Sequence, residues 1–268
     1  MPYLYARKDI GADIILGTRI KGYLRGNLTY SYSNISLSES TYSGGAGSYY
    51  QSSYQSYYGA AYGFGKYNVS AIIPTVYRTT IDSPITPTRG MMYLLSAKFA
   101  GGPLGGDVDF IKPKVEFSFF RPTFPRQVFG FHTVYEIIRA DTAVEVPYWE
   151  RFYLGGERDI RGYDIYSIGP RNEDGYLLGG TKALVINFEY QFQIAGPLNL
   201  ILYHDMGNAL LKGQNFKLND LYMSTGVEAR IFVPALRVPF RLIFAYNNRL
   251  IYPGDNHVAF RFAIGTTF

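Results

Sequence analysis

Few residues in this chain could make or break a bond. Its 268 residues include no cysteine and three histidines, His132, His204 and His257. No two of the histidines sit at metal-ligand spacing, and without thiolates neither disulfides nor thiolate metal sites can form. The sequence therefore implies no metal, no cofactor and no catalytic residue. A serine hydrolase needs a serine near a histidine and a polar group to orient it. His132 falls on the polar face of its segment near Glu136, and no serine motif points to it. What the spacing does offer is charge-assisted hydrogen bonding. The stretch "ERDIRGYDIYSIGP", Glu157 to Pro170, sets Arg161, Gly162 and Tyr163 among turn-forming residues, with Gly155 and Gly156 just ahead. A guanidinium is a planar fork of donors that fits carboxylates. Taken alone, Arg161 reads as a solvated loop charge.

The elements around that loop alternate with period two, the mark of strands with one apolar face. In the last segment Val258, Phe260, Phe262, Ile264, Thr266 and Phe268 share a face opposite Ala259, Arg261, Ala263, Gly265 and Thr267. From Leu184 to Phe192, Glu189 lies on the polar side, opposite Leu184, Ile186, Phe188, Tyr190 and Phe192. Asp205 follows His204, which shares the Leu200/Leu202 face, so Asp205 falls on the other side. Tyr67 to Ile81 gives an apolar face of Tyr67, Val69, Ala71, Ile73, Tyr77 and Ile81. Ile111–Phe119, Met223–Val233 and Phe240–Tyr246 alternate likewise.

About eleven or twelve such strands are visible, many of about 10 residues, the length of a tilted membrane-spanning strand. Sandwich strands are nearer ~5–6 residues. The expected fold is all-β, an antiparallel transmembrane β-barrel, with apolar faces toward lipid and a polar lumen. Short connections at Lys21-Gly22, Arg121–Gln127, Ala195–Pro197 and Pro234–Pro239 alternate with long ones at Ser36–Gly65, Asp141–Thr181 and Leu211–Leu221. That asymmetry puts the short turns and the C-terminus in the periplasm. An odd count implies a further strand upstream, or one formed by Met1 to Arg7. Ser38–Gly65, rich in Tyr, Ser and Gly, reads as an external loop running into an aromatic girdle, with an adhesive low-complexity segment as the alternative. The net charge of +5 comes from Lys and Arg scattered along the chain, so no nucleic-acid stripe is expected.

The order of features resembles the BamA-like family of outer-membrane barrel-assembly proteins. "FYLGGERDIRGYDIYSIGPR" (Phe152–Arg171), "NFEYQF" (Asn187–Phe192), "YHDMGNA" (Tyr203–Ala209), "FRFAIGTTF" (Phe260–Phe268) and the turn "DSPITPTRG" (Asp82–Gly90) carry the resemblance. It implies that residues 1–268 are the C-terminal part of an outer-membrane barrel of about sixteen strands, within the even-numbered range of bacterial barrels. The loop at about 141–181 would fold into the lumen. There Arg161 would pair with Glu189 and Asp205, pinning a loop without a hydrophobic anchor of its own. Gly155, Gly156 and Gly162 would supply its turns, and Tyr163 would pack on the wall. The strand 258–268, through Phe260, Phe262, Ile264, Gly265 and Phe268, would be the signal read during assembly. No periplasmic polypeptide-binding module is recognisable.

The function so implied is assistance to the folding and insertion of β-barrel proteins in the outer membrane of a Gram-negative bacterium. The partners would be unfolded outer-membrane clients, outer-membrane lipid and lipopolysaccharide, and periplasmic assembly lipoproteins. A polypeptide-secretion pore of the same superfamily and a passive porin are the alternatives. None of these readings needs an enzyme.

Overall fold

The computed structural model describes residues 5–39, 64–140, 146–173 and 175–266. Eleven strands follow chain order in one antiparallel sheet. They are β1 (Tyr5–Lys21), β2 (Leu24–Glu39), β3 (Gly65–Thr79), β4 (Gly90–Ala100), β5 (Phe110–Pro122), β6 (Gln127–Ile137), β7 (Lys182–Ala195), β8 (Leu198–Leu210), β9 (Tyr222–Val233), β10 (Val238–Asn247) and β11 (Val258–Ile264). Helical structure among the described residues is limited to single 3-10 turns, such as Tyr148–Glu150. No described helix is long and apolar enough to cross a membrane.

The alternation fixes the faces. On β7, Ala183, Val185, Asn187, Glu189 and Gln191 are buried, while the residues between them are half-exposed. The buried side is the inner face, against which residues between 146 and 168 pack. Direct cross-strand partners share a face, so each register transmits this choice to the next strand. One polar row crosses six strands as Ser118, His132, Asn187, Asp205, Ser224 and Asn247. The outer face instead carries Tyr93, Phe117, Phe131 and Phe188, whose neighbouring ring centroids lie 5.0, 6.0 and 5.1 Å apart.

The antiparallel all-β wall expected of part of a barrel is present, and three finer expectations change. The sheet is open: β1 and β11 are its edges, with no pairing between them among the described residues. It is a wall that fits part of a barrel, and β1 bears large exposed aliphatics such as Ile14 and Leu16 along its free edge. On β3 the expected lipid face is inverted. Its register pairs Tyr67 with Ile35 and Tyr77 with Leu94, which places Tyr67, Val69, Ala71, Ile73 and Tyr77 inside. The opposite face of β3 also carries apolar residues, Ile72, Pro74 and Val76, and parity alone could not say which face the loop would cover. Ser36–Glu39 and Gly65, expected in a loop, extend β2 and begin β3. Residues 5–7 open β1 rather than forming a separate strand, and Ile81 lies beyond β3 in a turn. Residues 1–4, 40–63, 141–145 and 174 lie outside the described residues, as do Thr267 and Phe268 of the expected terminal signal.

The third change concerns the loop itself, which does carry a hydrophobic anchor. Val146, Tyr148, Trp149, Phe152, Leu154, Ile160 and Ile168 are buried against Ile35, Val69, Ala71, Phe110, Ala183, Val185 and Ala209 of the wall. Burying an aromatic or branched side chain contributes about 1.5–3 kcal/mol. The loop is thus held by a small core before any charge is counted.

Candidate functional site

Arg161 sits at the tip of the loop, with 1% of its surface exposed. Its Nε and Nη2 donate to the two carboxylate oxygens of Asp205, both at 2.7 Å, the bidentate fork expected of a guanidinium. Nη1 donates to Glu189 Oε1 at 2.8 Å and to Glu228 Oε2 at 3.0 Å. The backbone N–H of Arg161 also reaches Asp205, at 3.0 Å. The guanidinium carbon lies 3.8 Å from the centroid of the Tyr203 ring. Room for that ring comes from Gly226 on the next strand, where a Cβ would stand 2.6 Å from the Tyr203 hydroxyl. Burial opposes the charge on Arg161, and Asp205, Glu189 and Glu228 overcome that and hold its pKa well above the usual arginine range.

Two further cations complete the cluster. Arg230 donates to Glu228 at 2.7 Å and to Glu189 at 3.1 Å. Arg241 donates to both oxygens of Glu228, at 2.9 and 2.8 Å. Three arginines therefore face three carboxylates, all within a few per cent of full burial. The formal charges cancel, as a desolvated site requires. Asn187 and Gln191 donate to Asp205 and Glu189, each at 2.9 Å. Among the described residues no group of three or more His, Cys, Asp or Glu could hold a metal ion.

The residues singled out from sequence fall into two sets. Arg161, Gly162, Tyr163, Glu189 and Asp205 meet at this cluster, with Gly155 and Gly156 shaping the loop beside it. The three glycines have φ of 106°, 103° and 87°, in the left-handed region. Gly162 is also steric: a Cβ there would lie 2.4 Å from that of Ala245. Buried Tyr163 donates its hydroxyl proton among the Met223 and Arg249 carbonyls and Asn248 Oδ1, at 3.0–3.2 Å. Phe260, Phe262 and Ile264 stand apart, exposed on the outer face of β11. Gly265 closes that strand by donating its N–H to Pro239 O at 2.9 Å.

Glu228, Arg230 and Arg241 were missed, although parity carried the signal: each occupies the polar side of an alternating run. A second contact was also missed. Glu150, beside Trp149 on the loop, receives Lys98 at 2.7 Å and Lys112 at 3.3 Å from β4 and β5. Burial pushes the Glu150 carboxyl up, but the two lysines hold it below the usual range. Asp164, past the loop tip, accepts from Arg261 of β11. His132 has a serine partner after all, Ser118 Oγ at 2.9 Å from Nδ1; both are buried in the inner row, where they satisfy each other.

An antiparallel wall of long strands, greasy outside and plugged inside by a loop locked through an arginine onto wall carboxylates, defines a membrane β-barrel of the loop-plugged kind. Comparison with known proteins makes the class specific. The Omp85 superfamily domain model matches residues 2–268, and the chain belongs to that superfamily. It is 34% identical over 75% of its length to the outer membrane protein assembly factor BamA of Nitratidesulfovibrio vulgaris, of which it covers 26%. It is 35% identical over 37% of its length to the sorting and assembly machinery component 50 homolog of Mus musculus, covering 21% of that protein. The chain thus spans about a quarter or less of the length of these curated relatives. In fold it matches BamA from Haemophilus ducreyi lacking POTRA domains 1–3, with TM-score 0.72 at 16% identity, over 96% of this chain and 54% of that one. CdiB from Acinetobacter baumannii matches less closely, with TM-score 0.59 at 12% identity, over 97% and 42% of the two chains.

Proposed function

We propose that this chain is the C-terminal part of a barrel that assists folding and insertion of other β-barrel proteins into the outer membrane of a Gram-negative bacterium. The short turns and the end of β11 face the periplasm, and the domain extends over residues 1–268. The observation that carries this reading is the buried Arg161 cluster, in a chain of the Omp85 superfamily. A passive pore has no need of a plug fastened to its wall by three arginines and three acids. The clients are unfolded outer-membrane proteins, and the work is strand pairing and bilayer deformation, so no catalysis is required. In this reading the segment 258–268, β11 and the residues that follow it, is recognised by strand addition through Phe260, Phe262, Ile264, Gly265 and Phe268.

The test is insertion of a client barrel into vesicles containing the intact protein, with conductance in a planar bilayer alongside. The expected result is accelerated insertion and a mostly closed, fluctuating pore that Arg161→Ala opens. A steady open pore indifferent to Arg161→Ala, without acceleration, would sink the proposal.

A further inference from the structure

A set of exposed cations lies at one end of the wall. Lys21, Arg78, Arg89, Arg121, Arg126 and Arg237 all lie exposed in, or next to, the short turns, against one exposed acid there, Asp82. The Asp82 carboxylate is already engaged by the hydroxyl and backbone N–H of Thr88 and the N–H of Arg89. At the opposite end the signs are mixed, with Lys66, Lys212 and Lys217 among Asp107, Asp109 and Asp220.

Three observations say what this rim meets. Arg78 pairs with Tyr93 and Arg121 with Phe129, so both extend outer-face stripes beyond their last apolar residue. Just inside the rim the outer face carries Phe129, Tyr190, Phe192, Phe240 and Phe262, with Tyr190 and Phe192 at 5.1 Å and Phe240 and Phe262 at 5.7 Å between ring centroids, the kind of belt that marks a membrane–water boundary. Exposed apolar residues sit beside the basic ones: Tyr23 is 67%, Phe124 66% and Leu236 58% exposed. Arg126 and Arg237 also hold left-handed backbone, at φ of 62° and 55°, where glycine or asparagine is the unstrained choice.

From this placement we infer that the short-turn rim binds the anionic headgroups of phospholipids in the adjoining leaflet. The outward arginines reach the phosphate level, and the turn apices seat beside them. An acidic protein would not require cations to continue the lipid-facing stripes. Basic residues near a charged leaflet each favour it, with a reach of about a Debye length.

The experiment places the intact protein in vesicles of phosphatidylcholine, alone or with a minority of phosphatidylglycerol. Spin-labelled lipids then report which headgroup occupies the protein-contacting shell. Phosphatidylglycerol should be enriched, by up to about fivefold per cation at low salt, and less as salt rises. Arg126→Gly with Arg237→Gly removes two charges and relieves two strained backbones, so the protein stays folded while the enrichment falls. Arg78→Gln with Arg121→Gln should lower it as well, with folding checked by electrophoretic mobility before and after heating. A protein-contacting shell with the same lipid proportions as the bulk bilayer around the wild type overturns the inference and leaves an acidic protein as what the rim meets. An enrichment that survives both double variants also overturns it.

Discussion

Two of the inserted loop's charged contacts with the wall are built with opposite polarity. On β7–β10 the loop supplies the cation, Arg161, and the wall supplies the acids. On β4 and β5 the loop supplies the anion, Glu150, and the wall supplies Lys98 and Lys112. Their settings differ more than their signs. Glu150 stands next to Trp149, which packs against Tyr67 at 5.0 Å between ring centroids, within a hydrophobic core. Its lysines keep 24% and 22% side-chain exposure, whereas the Arg161 cluster is almost wholly shut off from solvent. The Glu150 contact is an apolar anchor with a charge at its edge. The Arg161 contact is almost all charge, and its geometry must be complete because any member left alone is desolvated without a partner. One contact therefore tolerates partial loss, and the other does not.

The hardest blow to that contrast is Arg161→Glu, which puts four acids against two arginines. It should cost at least the ~3–5 kcal/mol of a broken buried pair and leave the loop open to protease. Pairing it with Asp205→Arg should recover part of the loss, measured as a non-additive cycle in urea unfolding; simple additivity would contradict the contact. Glu228→Gln weakens the hold on three arginines at once and should cost about 2–4 kcal/mol. Trp149→Ala should be as severe, about 3–5 kcal/mol, whereas Glu150→Gln should cost only about 1–2 kcal/mol. Equal losses at Trp149 and Glu150 would erase the distinction between the two anchors.

Acid should separate the two contacts as well. Glu150 is held below its ordinary 4.5, so its contribution is present above that pH and is lost as pH falls through the lowered value. Asp159, at the loop tip, behaves oppositely. Burial and then nearby Glu136 raise it from 3.8 to about 6, so it favours the docked loop below its unfolded pKa and loses that effect as pH rises through about 6. Asp159→Asn should therefore stabilise the loop at neutral pH by about 1–2 kcal/mol, seen as slower proteolysis. The smallest effect belongs to Arg261→Ala. Its partner Asp164 has 73% of its side chain exposed, and the expected cost is below about 1 kcal/mol.

Much of this was legible in the residues. Period two named the strands from Leu184 to Phe192 and from Val258 onward, and it put Glu189 and Asp205 on the inner side. Residue order and the family resemblance pointed to Arg161 as their partner. Glu228, Arg230 and Arg241 stood on the correct parity too, but charges on separate strands show no common address until registers align them. Trp149 and Glu150 lay in a loop without periodicity, where sequence offers no geometric ruler.

The alternation by itself determined that this chain is a sheet with two unlike faces, because successive side chains on an extended backbone must point to opposite sides. Which face of β3 would be covered, and which scattered charges would meet, was decided only by the tertiary structure. Burial and Coulomb attraction depend on distance in space, and it is strand register and loop insertion that set those distances.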